Sequence, residues 1–247
     1  MNDWIEPDWP APSNVNALFT TRNGGVSGVE NNAYATLNLG SHVNDDSSDV
    51  EKNRSLLNRY LPSAPKWLIQ VHGTSVLCMD NEMASRQGDA ALSRTHGIVC
   101  AVMVADCLPV FLCDTAGTVV AVVHAGWRGL AAGIIEKTVA EMCHGQTQLT
   151  AWLGPAIGSE CFEVGGEVRE IFINQDSQAS VAFVPQQSQD DDKWLADIFQ
   201  LARFRLAKAG VTAVFGGGVC TYSDPSRFFS YRRDGETGRM AALIWLS

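Results

Sequence analysis

The stretch Val119-Val120-Ala121-Val122-Val123-His124-Ala125-Gly126-Trp127-Arg128-Gly129 decides how this chain is read. Its five leading residues are apolar or small, and a run that short and that apolar predicts a buried strand. His124 stands where the run stops and small residues begin, which makes it the centre of a candidate active site, since sheets present chemistry at strand exits. Gly126 and Gly129 permit close backbone approach, and residues 129–144 are expected to continue as a helix.

Working outward, residues 108–114 have strand character, and the turn Asp114-Thr115-Ala116-Gly117-Thr118 leads back to Val119. An antiparallel hairpin with residue 114 opposite 119 sets His124 opposite Pro109 and makes Cys107 its diagonal neighbour on the same face. Diagonal positions lie about 7–8 Å apart at the backbone, close enough for a Cys and a His to share a metal. A one-residue slip would turn Cys107 away. Because Pro109 has no N–H for a ladder, its strand is expected at a sheet edge or distorted there.

Trp67-Leu68-Ile69-Gln70-Val71 reads as another strand, ending at His72-Gly73-Thr74, so His72 repeats the placement of His124. Two imidazoles and a thiolate leave a tetrahedral Zn²⁺ with one open position, as in a catalytic zinc site. The same ligand types hold copper in blue sites. Five histidines (42, 72, 96, 124 and 144) with no His-x-His pair are too few for a blue site plus a histidine-rich copper cluster. A third reading makes Cys107 a thiolate nucleophile and His124 its base, a metal-independent hydrolase that leaves His72 unused.

Elsewhere, Leu18–Thr21 is expected to be a strand followed by a glycine-rich turn containing Arg22, which is either a solvated turn residue or an anion contact. A helix from Ser48, capped by Ser47 or Ser48, should bury Val50, Leu56, Leu57, Tyr60 and Leu61. Residues 193–209 are periodic enough for one continuous helix, and Gln186 to Asp192 reads as a surface loop. Residues 228–239 mix aromatics with Arg232, Arg233 and Arg239, a pattern that suits either a surface turn or a segment binding an anion or a ring. Irregularly alternating strands and helices predict a mixed α/β (α+β) fold, a layered sandwich with mixed sheets forming a single domain over 1–247.

The charge of −9, with Lys and Arg dispersed, argues against a nucleic-acid partner and for small substrates. No membrane-length apolar run and no export signal are visible, so a cytoplasmic, monomeric protein is expected. Seven cysteines without a Cys-x-x-Cys pair are expected to be free thiols.

The segments Gln70-Val71-His72-Gly73-Thr74, Ala105-Asp106-Cys107-Leu108-Pro109, His124-Ala125-Gly126-Trp127-Arg128-Gly129 and Gly154-Pro155-Ala156-Ile157-Gly158, with Thr20-Thr21-Arg22 and Phe229-Ser230-Tyr231-Arg232-Arg233, resemble the laccase-domain family of the bacterial YfiH type. The resemblance implies Zn²⁺ held by His72, Cys107 and His124. It implies phosphorolysis of adenosine, inosine, guanosine and methylthioadenosine, with deamination of adenosine. Copper polyphenol oxidation and a peptidoglycan-editing role have also been attached to the family. Under that resemblance Arg22, Arg128, Arg232 and Arg233 are candidates to hold phosphate or nucleoside, and Asp106 is a candidate to orient an imidazole.

Overall fold

The hairpin around the Asp114–Thr118 turn lies at the middle of the molecule. In the computed structural model, which describes residues 3–28, 32–81, 85–143, 148–186 and 192–247, the strands run β1 (Val15–Phe19), β2 (Val76–Cys78), β3 (Ala90–Ser93), β4 (Cys100–Val104), β5 (Leu108–Asp114) and β6 (Val120–Ala125). They continue as β7 (Leu149–Leu153), β8 (Glu163–Gly165), β9 (Phe183–Pro185), β10 (Lys193–Ala196), β11 (Ala213–Gly216) and β12 (Met240–Leu246). The helices are α1 (Ser47–Asn58), α2 (Trp127–Ala131), α3 (Ile134–Met142), α4 (Gly166–Ile173), α5 (Ile198–Lys208) and α6 (Tyr231–Asp234).

A six-stranded mixed sheet, ordered β11-β7-β5-β6-β3-β2, carries the hairpin at its centre, and every residue of β5 and β6 is buried. Full burial on both faces explains why these strands read as unbroken apolar runs rather than as alternations. One face, with Val110, Leu112, Ala121 and Val123, packs on the helices α3 to α5. The other, with Phe111, Cys113, Val120 and Val122, packs on a three-stranded antiparallel sheet ordered β1-β12-β4. The outer face of that smaller sheet is covered by α1 and the segment through Leu37 and Leu39. Helix, sheet, sheet and helices therefore stack in four layers, and the small sheet β8-β10-β9 lies at the helical side. This is the mixed α/β sandwich the strand pattern predicts.

The hairpin register is also as read: Pro109 pairs with His124 and Cys113 with Val120. An edge position for Pro109 is excluded, because β5 is central, between β6 and β7. Proline is accommodated because the β5–β7 ladder starts only at Val110, and Pro109 contributes its carbonyl to Gly154 N–H (3.0 Å). The position needs an acceptor and no donor.

Further expectations are corrected. Residues 67–71 form no strand, only an isolated bridge at Ile69, with Ile69 and Val71 exposed. The helix expected over 129–144 starts earlier, at Trp127, and breaks at Gly133, whose left-handed φ of 90 resets the chain direction; His144 lies outside the described residues. Residues 193–196 are β10, because Asp197 caps α5 by accepting from Gln200 N–H (2.9 Å) and starts the helix there. Residues 187–191 of the expected loop lie outside the described residues.

The α1 cap is Asp46 rather than a serine, its carboxylate accepting from Ser48 N–H (2.7 Å) and Asp49 N–H (3.3 Å). On α1 the buried residues are Val50, Asn53 and Leu57, while Tyr60 lies beyond its end and is exposed. Losing such a cap costs about 1 kcal/mol. Asp46→Ala is expected to lower the melting temperature by about 2–4 °C, a shift that suits this chain length, while Ser47→Ala leaves it unchanged in the same thermal melt. No helix of the described residues is long and apolar enough to cross a membrane.

Candidate metal centre

His124, next to last in β6, lies on the face between the two sheets, and Cys107, just before β5, reaches the same point across the Pro109–His124 pair. His72 arrives from the loop before β2. The three donor atoms lie within 4.8 Å of one another, the one group of three or more metal-capable side chains among the described residues. Cys107 Sγ stands 3.6 Å from His72 Nε2, and the two imidazoles meet edge to face with centroids 4.7 Å apart. His124 is buried, Cys107 half-buried and His72 exposed, so the cluster has a closed floor and an open rim.

Asp89, one residue before β3 and fully buried, is the support that sequence reasoning did not select. Its Oδ1 accepts from His124 Nδ1 (2.8 Å) and from His72 N–H (2.9 Å), and its Oδ2 from Gly73 N–H (2.7 Å) and Val71 N–H (3.3 Å). One carboxylate thus aims one imidazole by its ring and the other by its backbone. With Nδ1–H committed to Asp89, His124 turns Nε2 toward Cys107 and His72, and Nε2 is the ring nitrogen left to bind a metal. Burial pushes the Asp89 carboxyl up, but the His124 ring and these N–H donors outweigh it and hold it below the usual carboxylate range.

The loop is held by these side-chain bonds where a ladder would otherwise be, and Gln70 adds two more, accepting from Met103 N–H (2.7 Å) and donating to Met103 C=O (2.8 Å). That is why an apolar pentapeptide here is not a strand. His72 consequently sits at φ 57, and Asp106, the residue before Cys107, at φ 82. They are the two non-glycine left-handed residues among those described, and each such position costs about 1–3 kcal/mol. Both flank the cluster.

Asp106 does not reach an imidazole. Its carboxylate accepts from Thr221 Oγ1 (2.6 Å), Ser230 Oγ (3.0 Å) and Arg232 N–H (2.7 Å), and its carbonyl from Ile157 N–H (2.9 Å). It ties Cys107 to the 154–158 loop and to α6. Gly126 and Gly129 serve close approach as expected: a Cβ on Gly126 would stand 2.9 Å from His72 Cδ2 and 3.1 Å from Cys107 Sγ, and one on Gly129 would stand 2.8 Å from Gly73 C=O.

Burial pushes the Cys107 thiol up, but the His124 charge and hydrogen bonds from both imidazoles bring it down to about 6. His124 is pushed down by burial and raised by Cys107 and Asp89 to about 9. A poised thiolate beside two imidazoles, whose ring nitrogens a metal ion would take in place of a proton, is a donor set that fits Zn²⁺, which takes Cys and His in tetrahedral sites.

Of the four arginines read from sequence, Arg22 donates to Ala35 C=O and Pro225 C=O and lies over the Phe229 ring, and Arg233 donates to Thr221, Tyr222 and Phe228 carbonyls and pairs with Asp234. Both brace the backbone. Arg232 is exposed, with one bond to Glu163 C=O, and exposed Arg128 lies 4.4 Å over the Trp127 ring. Two further groups interact electrostatically with the cluster, Arg239 with Cys107 and His42 with His124. Arg239 is pulled down by burial and raised by Cys107 and Tyr231, and His42 is pushed down by burial and by the Arg239, Arg54 and His124 charges.

Residues 16–247 match the family described as multi-copper polyphenol oxidoreductase laccase. The chain belongs to that family. It is 54% identical over 249 residues to the purine nucleoside phosphorylase YfiH of Escherichia coli, covering 100% of both chains. It is 52% identical over 246 residues to a purine nucleoside phosphorylase of Pseudomonas aeruginosa, covering 100% of this chain and 99% of that one. The crystal structure of a Neisseria meningitidis protein superposes with a TM-score of 0.90 at 45% identity, over 99% of each chain. The family carries two names, then, one for copper oxidation and one for nucleoside phosphorolysis.

Proposed function

We propose that this protein is a zinc-dependent purine nucleoside phosphorylase acting on adenosine, inosine, guanosine and methylthioadenosine, with deamination of adenosine as a second activity. The observation that carries this reading is the single His72–Cys107–His124 cluster with one open side, in a chain whose relatives at 52% and 54% identity are named for that activity. A multicopper enzyme needs several clusters, and the described residues form one. Zn²⁺ would be held by His72 Nε2, Cys107 Sγ and His124 Nε2 and would supply a Lewis acid for charge developing on the substrate.

The chain's own residues do the rest. Asp89 fixes the direction of both imidazoles, and Asp106 fixes the turn carrying Cys107. Phosphate falls to the exposed Arg128 and Arg232 rather than to Arg22 and Arg233, whose donors brace carbonyls, as those of Arg239 do at Thr237 and Gly238. Exposed Tyr231, electrostatically linked to Arg239, offers a ring face to a purine. We place the protein in the cytoplasm as a monomer with small-molecule partners.

One observation favours the thiol reading: Cys107 and His124 form a thiolate–imidazolium pair as they stand. Adenosine assayed with and without phosphate, before and after chelation and Zn²⁺ readdition, separates the two. Adenine and ribose 1-phosphate formed only with phosphate, lost on chelation and regained with Zn²⁺, are expected. Turnover indifferent to chelation and destroyed by alkylating Cys107 would overturn the zinc reading, and no turnover after Zn²⁺ loading would overturn the phosphorylase.

A further inference from the structure

Away from the metal cluster, a cavity of about 490 Å³ opens between the loop after β7 and the glycine run after β11. Two half-buried free cysteines, Cys161 and Cys220, line it. Topology brings them together: Ala156 bridges to Cys220, and the turn from Gly158 to Cys161 folds back over that bridge. Both sulfurs meet one hydroxyl, Ser223 Oγ lying 3.3 Å from Cys220 Sγ and 3.6 Å from Cys161 Sγ.

The two thiols are not equivalent. Cys220 Sγ accepts from Ser223 Oγ and from Gly158 N–H (3.1 Å), and donors aimed at a sulfur favour its thiolate. Gly158 is needed for this approach, since a Cβ there would stand 3.0 Å from the same sulfur. Burial pushes the Cys161 thiol up, and the neighbouring Cys220 thiolate pushes it further. For Cys220, burial works upward too, but the Ser223 and Gly158 donors outweigh it.

The approach from solvent is bare. Gly216, Gly217 and Gly218 take φ of 67, 87 and 88, which favours glycine at each, so no side chain closes that wall. A Cβ on Gly218 would meet nothing within 4 Å. A small oxidant therefore has a route to Cys220, which Cys100 and Cys113, buried in β4 and β5, do not offer.

We propose that Cys220 and Cys161 form a hydroperoxide-oxidisable dithiol, with Cys220 the attacking thiolate and Cys161 the resolving thiol. The Cys220 thiolate attacks one oxygen of the hydroperoxide: an S–O bond forms, the O–O bond breaks, and the departing hydroxide or alkoxide takes up a proton. Sulfur loses two electrons and the peroxide gains them. Cys161 then attacks the Cys220 sulfenic acid, the S–S bond forms, the S–O bond breaks, and water leaves carrying the Cys161 proton. An external thiol restores the pair. Thr221, the next residue, donates to Asp106 (2.6 Å), so the dithiol shares a backbone segment with the support of Cys107.

The full chain treated with a few equivalents of hydrogen peroxide, blocked with N-ethylmaleimide and mapped by peptide mass spectrometry is expected to yield a Cys161–Cys220 cross-linked peptide that dithiothreitol removes. In Cys161→Ser, dimedone should trap Cys220 as its sulfenic acid. In Cys220→Ser, Cys161 should be labelled about tenfold more slowly than Cys220 in that first variant, reflecting its smaller thiolate fraction. Recovery of both as free thiols, persistence of a Cys220 sulfenic acid in the parent chain without the cross-link, or equal trapping of Cys161 in Cys220→Ser would overturn the proposal.

Discussion

Cys107→Ala is expected to lower adenosine phosphorolysis to below about one thousandth of the parent rate, because removing a ligand removes a Lewis acid worth several kcal/mol. His72→Ala should fall as far. The second result is the more informative, since a Cys107–His124 thiol enzyme has no use for His72 and would keep most of its rate without it. Both truncations should leave folding intact: His72 is exposed, and Cys107 only edges the core between the sheets and is half-buried, so the change to Ala removes little packing. His124→Ala is a poorer probe. It strips buried Asp89 of its one ring donor and leaves a void where a buried imidazole stood, so a stability loss would accompany the loss of rate. Bound zinc measured beside initial rates checks the pair; full activity in metal-free Cys107→Ala would exclude the cluster as the reaction centre.

The hairpin was legible because its turn chemistry and its apolar runs agree on a single register, and the register alone carries Cys107 to His124. His72 was found through a strand that does not exist. Residues 67–71 are mostly apolar, but Val71 N–H is answered by the Asp89 carboxylate, Ile69 N–H by the Arg86 carbonyl, and the Gln70 side chain reaches Met103, bonds between positions 17 to 33 apart that no local pattern reveals. Pro109 misled in the opposite direction: a missing donor implies an edge only if a neighbouring strand wants that donor, and at the mouth of the β5–β7 ladder none does. Arg22 and Arg233 looked like anion contacts until their carbonyl partners were placed, while Arg239 was legible only as one arginine of the 228–239 segment, and its interaction with Cys107, like that of His42 with His124, depends on the fold. A buried acidic residue opening an apolar strand, Gly88-Asp89-Ala90-Ala91-Leu92, was the clue available for the missed support.

Asp89→Asn is the substitution on which the geometry makes the sharpest demand. Four N–H groups converge on the carboxylate, one from the His124 ring and three from the backbone of residues 71–73. An amide of the same shape presents one oxygen and one NH₂, so at least one donor must face another donor inside a buried site. If the NH₂ takes the Oδ1 place it faces both the His124 ring and His72 N–H, so Nε2 must carry the ring proton and cannot ligate; if it takes the Oδ2 place, Gly73 and Val71 N–H lose their acceptor and the left-handed turn at φ 57 between them loses its flanking anchors. Either way the donor set is spoiled without touching a ligand. Zinc affinity is expected to fall about 10–100-fold, as for other partners of metal-bound histidines. Because the ligands remain, excess Zn²⁺ should restore much of the rate to Asp89→Asn and none to Cys107→Ala. A merely structural Asp89 predicts a lower melting temperature with parental zinc affinity, and that outcome would remove it from the site.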